Sequence, residues 1–263
     1  MSRAKILVFV LIVIIVGAFL LFRRSTPVQE SHLTAEGVVL SGHRDDGSPA
    51  WSVRAETGSL KEDDGVLETV ELTFFEGSDT DIIVRGDRLS RDSSGSTLSG
   101  SIHIEQGSVM RLETETIFWD ERNDVLESGP VTIEMEWASI QAGAFHHDLS
   151  ADLTTLTRGV EAQLTRDDKE YIVRSDLAEA TSNQLSLLGN VSIQGEDDDE
   201  FRCQQLESDD SGSTIRLIGE VSGTWHSSAF SADVAQLDST GIRLRNNVTI
   251  DLELLMMDEP NDA

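Results

Sequence analysis

The sequence predicts an all-β protein. Its expected form is an antiparallel chain of repeated two-strand units, stacked as two facing sheets or curled into a trough, behind one N-terminal transmembrane helix. Three observations predict it. Apolar and polar residues alternate with period two, the alternation returns every 27 to 32 residues, and Asp-Gly and Asp-Ser clusters punctuate it. The 263 residues are 38% hydrophobic, enough for a sizeable core, and carry a formal charge of −28. A chain with 48 acids against 20 bases cannot track a phosphate backbone, so nucleic-acid binding is excluded. A single cysteine, Cys203, excludes an intramolecular disulfide and a cysteine-based zinc cluster.

Taken in order, residues 1–24 read as a transmembrane signal anchor. Arg3 and Lys5 precede an apolar run of 17 residues, Ile6 to Phe22, and Arg23 and Arg24 follow it. As a helix the run spans roughly 26 Å at about 1.5 Å per residue, and the flanking bases can snorkel to both interfaces. Phe19 to Arg24 offer none of the small residues that a signal-peptidase site needs. The basic residues on the two sides nearly balance. The large turn-rich body that follows, with no second span, favours the N-terminus inside and the body outside, in a bacterium the periplasm. Beyond residue 24 the chain holds 16 bases against 48 acids, a charge of −32.

Residues 25–31 form a polar linker, and the repeats begin after it. One apolar series runs Val39, Val70, Ile102, Val131, Val160, Val191, Val221, Val248. Several members follow a leucine four residues back, among them Leu98, Leu156, Leu187, Leu217 and Leu244, often with a glycine between. A second series interleaves with it, each member two positions before a small residue: Val53/Ala55, Val84/Gly86, Leu112/Thr114, Ile140/Ala142, Val173/Ser175, Phe201/Cys203 and Phe230/Ala232. Each unit therefore supplies two strands. Turns are expected at Asp45-Asp46-Gly47, Asp63-Asp64-Gly65, Asp92 to Gly95, Asp167-Asp168, Asp197 to Asp199, Asp209 to Gly212 and Asp238 to Gly241, which gathers acids at strand junctions. One body from residue 32 to 255 results, with sheet edges open at its ends and an acidic tail at 256–263. A parallel β-helix is the alternative architecture, but its rungs usually need three strands and only two apolar stretches per unit are visible.

No catalytic motif is present: no nucleophile elbow, HExxH, P-loop, dinucleotide fingerprint or EF-hand loop occurs. His146-His147 reads as a solvated pair on opposite strand faces, unable to share a metal, and the Asp runs lack ligand spacing. No metal, cofactor or catalytic residue is expected. Asn190-Val191-Ser192 and Asn247-Val248-Thr249 match a glycosylation sequon by chance, at expected strand starts. Trp51, Trp119, Trp137 and Trp225 read as core.

A resemblance follows from ordered features. A single span is followed by Asp46-Gly47, Trp51-Ser52-Val53-Arg54-Ala55-Glu56, Leu67 with Val70 to Phe75, Gly77, and Leu98-Ser99-Gly100-Ser101-Ile102. In this it resembles the LptC family of lipopolysaccharide-export bridge proteins over residues 32–165. The segments Leu112 to Glu115, Ser128 to Val131 and Leu187 to Val191 resemble the wider OstA-like repeat, which residues 166–255 continue. The resemblance implies an open-ended β-jellyroll on the periplasmic side of the inner membrane, a single-pass protein. Its N-terminal edge, at Gly47 and Trp51, would dock on the lipopolysaccharide-export ABC transporter, and its C-terminal edge would pass lipopolysaccharide to a periplasmic OstA-like partner. The chain is longer than a usual family member.

A passive conduit for acyl chains needs an apolar lining and no acid, base or nucleophile. The in-facing parity set expected to line it is Val70, Leu72, Phe74, Val84, Ile102, Ile104, Leu112, Val131, Ile133, Ile140, Val160, Val173, Val191, Ile193 and Phe201. A membrane-anchored scaffold that assembles edge to edge is the competing expectation.

Overall fold

The computed structural model describes residues 33–251 apart from the short segments 45–46, 62–63, 76–81, 108–109, 121, 167–168, 182–183, 196–198, 210–213, 226–227 and 239–240. The expected anchor at 1–24, the linker at 25–31 and the acidic tail at 256–263 lie outside the described residues. Among the described residues no helix is long and apolar enough to cross a membrane.

All described strands belong to one 17-stranded sheet. They are β1 (Leu33–His43), β2 (Pro49–Lys61), β3 (Asp64–Phe74), β4 (Ile82–Arg91), β5 (Ser96–Gln106), β6 (Met110–Asp120), β7 (Val125–Ser128), β8 (Val131–Met135) and β9 (Ala138–Asp148), then β10 (Leu153–Arg166), β11 (Lys169–Ala180), β12 (Gln184–Gly195), β13 (Glu200–Asp209), β14 (Ile215–Trp225), β15 (Ser228–Asp238), β16 (Gly241–Arg245) and β17 (Thr249–Asp251). Each strand pairs antiparallel with the next, an unbroken meander. Two interruptions keep the order. β7 and β8 lie end to end between β6 and β9, and β16 and β17 share β15. The antiparallel pairing excludes the parallel β-helix.

A flat single sheet cannot bury one of its faces. Here the sheet folds along a line crossing the middle of the strands. Positive φ angles recur at Gly37, Thr69, Gly100, Arg158-Gly159, Gly189-Asn190, Gly219-Glu220 and Asn246-Asn247, and the register slips beside most of them. Where the register slips the residue is a bulge that bends its strand, while Gly37 and Thr69 bend theirs with the register kept, and the alignment of these positions creases the whole sheet. At the level where no such angle occurs, Gly129-Pro130 separates β7 from β8 instead. Polar straps hold the crease from the neighbouring strand: Asn190 Nδ2 donates to Asp176 Oδ2 at 2.8 Å, Asn247 Nδ2 to Asp233 Oδ2 at 2.9 Å, and Thr69 Oγ1 to Glu56 Oε2 at 3.1 Å.

The crease corrects the sequence reading. The Leu-x-Gly-x-Val glycines mark bends inside single strands rather than strand starts; Leu187 and Val191 both lie in β12. The two asparagines of the sequon matches are crease residues in the left-handed region, a conformation asparagine tolerates better than most side chains. Of the expected acidic turns, Asp92 to Gly95 is described and forms one, Asp64 and Gly65 already belong to β3, and residues 45–46, 63, 167–168, 197–198, 210–212 and 239–240 lie outside the described residues; Asp120 and Asp148 open two further acidic turns that the expected series omitted. Asp92 Oδ1 accepts from Ser94 N at 2.7 Å, Asp120 Oδ1 from Arg122 N at 2.9 Å and Asp148 Oδ1 from Ser150 N at 2.9 Å. These hydrogen bonds to the ionised form hold all three carboxyls below their ordinary range, the Ser94, Asn123 and Ser150 side chains contributing most. Other acids stand on the outer face in a cross-strand ladder, where Arg85 meets Glu71 at 3.1 Å and Glu105 at 2.9 Å.

Candidate functional site: the interior of the folded sheet

Beside the crease the inner face alternates large and small residues from strand to strand. Val70 faces Ala55 and Gly86, Val131 faces Thr114 and Ala142, Val160 faces Ala142 and Ser175, Val191 faces Cys203, and Val221 faces Ala232. The inside of a fold offers little room, so every second strand gives up its side chain. A Cβ built on Gly86 would sit 2.8 Å from Leu98 Cδ1, which reaches across from beyond the bend. Cys203 fills one of the small positions, and burial pushes its thiol up to about 11, so it stays protonated and unreactive.

The next row inward of one leaf runs without a break from edge to edge. Leu40, Val53, Leu72, Val84, Ile104, Leu112, Ile133, Ile140, Ala162, Val173, Ile193, Phe201, Gly223, Phe230 and Ile250 are successive cross-strand partners. Gly223 is its one position without a side chain, and the Phe201 and Phe230 rings on either side close over it with centroids 5.9 Å apart.

Every expected lining residue falls in these rows or the one beyond. Val70, Ile102, Val131, Val160 and Val191 belong to the crease row, Phe74 to the outer row, and the other nine to the continuous row; all are buried except Ile140, which is half-buried. The opposite leaf supplies a row that the expected lining omitted: Leu67, Leu89, Leu98 and Ile117, then Phe145, Leu156, Ala178, Leu187, Leu206, Leu217, Ala235 and Leu244. Its signal, at Leu98, Leu156, Leu187, Leu217 and Leu244, was the leucine four residues before a member of the first apolar series. Both leaves join one apolar cluster, packed closely enough that Ile102, Leu126 and Leu217 have no exposed surface.

Of the expected docking residues, Gly47 is exposed with φ +82° and open space where a Cβ would go. Trp51 is 8% exposed, with its indole stacked over Gly42. Trp119 is buried and Trp225 half-buried, but Trp137 is exposed, against the expectation of core, because it lies in the β8–β9 turn. Among the described residues β1 pairs with β2 alone and β16 and β17 with β15 alone, so both sheet edges are open. Apolar residues surface there. Ile250, the last member of the continuous row, is 54% exposed for want of a further strand, and Val248 beside it is 44% exposed. Val39 is 66% exposed for a different reason: Val38, not Val39, partners Ala55, which turns Val39 to the outer face and corrects the series by one residue.

The histidine pair divides. His146 is on the outer face, 3.5 Å from Glu127, but His147 is wholly buried, correcting the expectation of a solvated pair. It stands between Leu126 and Thr154, with Nδ1 3.0 Å from the Thr154 hydroxyl and Nε2 without a partner. Burial depresses its pKa below the ordinary 6.5, against the opposing pull of Asp152 and Asp148. A base depressed in the folded state binds fewer protons folded than unfolded. Its contribution is therefore full above pH 6.5 and is lost as pH falls from there toward the depressed value. Denaturant midpoints are expected to drop between pH 7 and pH 5 in the natural chain, and to drop less in His147→Leu.

Among the described residues no three His, Cys, Asp or Glu side chains are grouped so as to hold a metal. The fold defines an all-β protein made of one antiparallel sheet creased upon itself. No family model and no curated protein matches the sequence. Among solved structures the chain is similar to LptH, the LptA-homologous periplasmic component of the lipopolysaccharide transport device of Pseudomonas aeruginosa. The likeness has 9% identity and a TM-score of 0.37, and covers 55% of this chain and 95% of that one.

Proposed function

We propose that this protein is a membrane-anchored carrier that shelters the acyl chains of lipopolysaccharide across an aqueous compartment. It would take the glycolipid from an inner-membrane ABC transporter at the β1 edge and hand it to a periplasmic OstA-like protein at the β16–β17 edge. The observation that carries this reading is the apolar row that continues through the sheet from Leu40 to Ile250 and ends in exposed side chains. Exposing an acyl chain to water costs about 0.8 kcal/mol per methylene, on the order of 10 kcal/mol per chain. A row of nearly uniform character removes that barrier without creating a trap along the way.

The role asks for no catalytic group, metal or cofactor. It asks that the leaves part, since the interior is filled by its own side chains, and the open edges leave the sheet free to flex. The anchor at 6–22 and the periplasmic place of the body belong to this proposal.

Photoreactive residues at Ile133 and Val191 test it in cells exporting lipopolysaccharide. Adducts at both positions are expected, in chain order during a pulse. Absence of any adduct, together with concentration-dependent filaments of the purified protein, would favour an edge-to-edge scaffold, a reading that the exposed edge residues also support.

A further inference from the structure

The interior is not apolar throughout. The row nearest the turns after β4, β6 and β9 contains Arg91, Ser96, Trp119, His147 and Thr154, linked by register from Arg91 to Ser96, to Trp119, across Leu126 to His147, and on to Thr154. These side chains take the inward parity of the apolar rows, and Ser96, Trp119 and His147 are buried. At the opposite rim the corresponding row has Trp51, Phe74, Ile82, Met110 and Ala138, with Gln106 as the one polar member in that stretch. The belt runs from β4 to β10 and ends where Ala180 and Leu185 replace it.

His147 is the member whose structure is incomplete. A buried imidazole nitrogen with no hydrogen bond forfeits its hydration without replacement, and a leucine would fill the same place without that cost. Resting on the lipid-carrying reading, we infer that this rim is the headgroup side of the interior, and that His147 Nε2 is the hydrogen-bonding point for a phosphate or sugar hydroxyl of an anionic amphiphile whose chains lie in the apolar rows. Thr154 fixes the ring through Nδ1 and so aims Nε2. A neutral imidazole can accept there from a hydroxyl. Beside a phosphate it can take up a proton and donate. The belt lies parallel to the proposed direction of travel, so over the stretch from β4 to β10 a headgroup can be held against polar side chains while its chains stay in the apolar rows.

The test uses the full purified chain, nitrogen-15 labelled at histidine, with three probes: bisphosphorylated lipid A, laurate and inorganic phosphate. Lipid A is expected to shift the His147 Nε2 resonance, and the other two to leave it in place. His147→Phe is expected to weaken lipid A binding about tenfold while laurate binding holds, and His147→Gln to restore most of the loss. A shift with inorganic phosphate alone, equal losses for both lipids, or lipid A binding that leaves the resonance unmoved would each overturn the inference and leave the carrier reading standing. If neither lipid binds the natural chain, both fall.

Discussion

Ile102→Ala is expected to destabilise the protein by about 2–5 kcal/mol, read as a drop in denaturant midpoint at unchanged slope. Ile102 has no exposed surface and lies in the crease row, where both leaves press on it and the cavity left behind cannot collapse. Val39→Ala is the control. The valine begins the apolar series as read from the sequence, yet it faces outward and is 66% exposed, so its loss should stay within about 0.5 kcal/mol. Equal effects at the two positions would contradict the register of β1 against β2.

The second large effect concerns the bend itself. Gly86→Val places a branched side chain where even a Cβ approaches Leu98 Cδ1 to 2.8 Å, and overpacking of this kind costs about 1–3 kcal/mol. Leu98→Ala alone should also destabilise, since Leu98 is buried in the opposite leaf. Combined, the two changes should cost less than their sum by about 0.5–3 kcal/mol, because the alanine vacates the space the valine needs. Additivity would mean that the leaves do not meet at this point.

The period-two alternation is enough to assign the buried inner face, because parity is conserved along a strand and one face of the sheet must be buried. It turns Leu72, Ile104 and Ile193 inward without any knowledge of their partners, and all three are buried. The crease was visible only as spacing. Gly189 and Gly219 recur at the right interval, but a glycine between apolar residues looks the same whether it ends a strand or bends one. Val38 and Val39 differ only in register, which depends on Ala55 in the next strand and not on either valine. His147 was hidden for a related reason: nothing in His146-His147 says which member turns inward until Phe145 is set against Leu156. The small residues after each second-series apolar position stand out in the sequence, but what Ala55, Gly86 and Cys203 make room for depends on the fold of the sheet at that line.

The plain meander has one more consequence. The backbone pairing and close backbone approaches join each strand mainly to those beside it in the sheet, and side chains such as Phe201 and Phe230 reach one strand further, so the energy of the body is dominated by near neighbours along the sheet. Such a chain can begin to fold at any hairpin and grow from there, with no long loop to close first. A unit of about thirty residues can then be duplicated or deleted without disturbing distant packing. The distance the body spans is thus a quantity that evolution can adjust in whole steps.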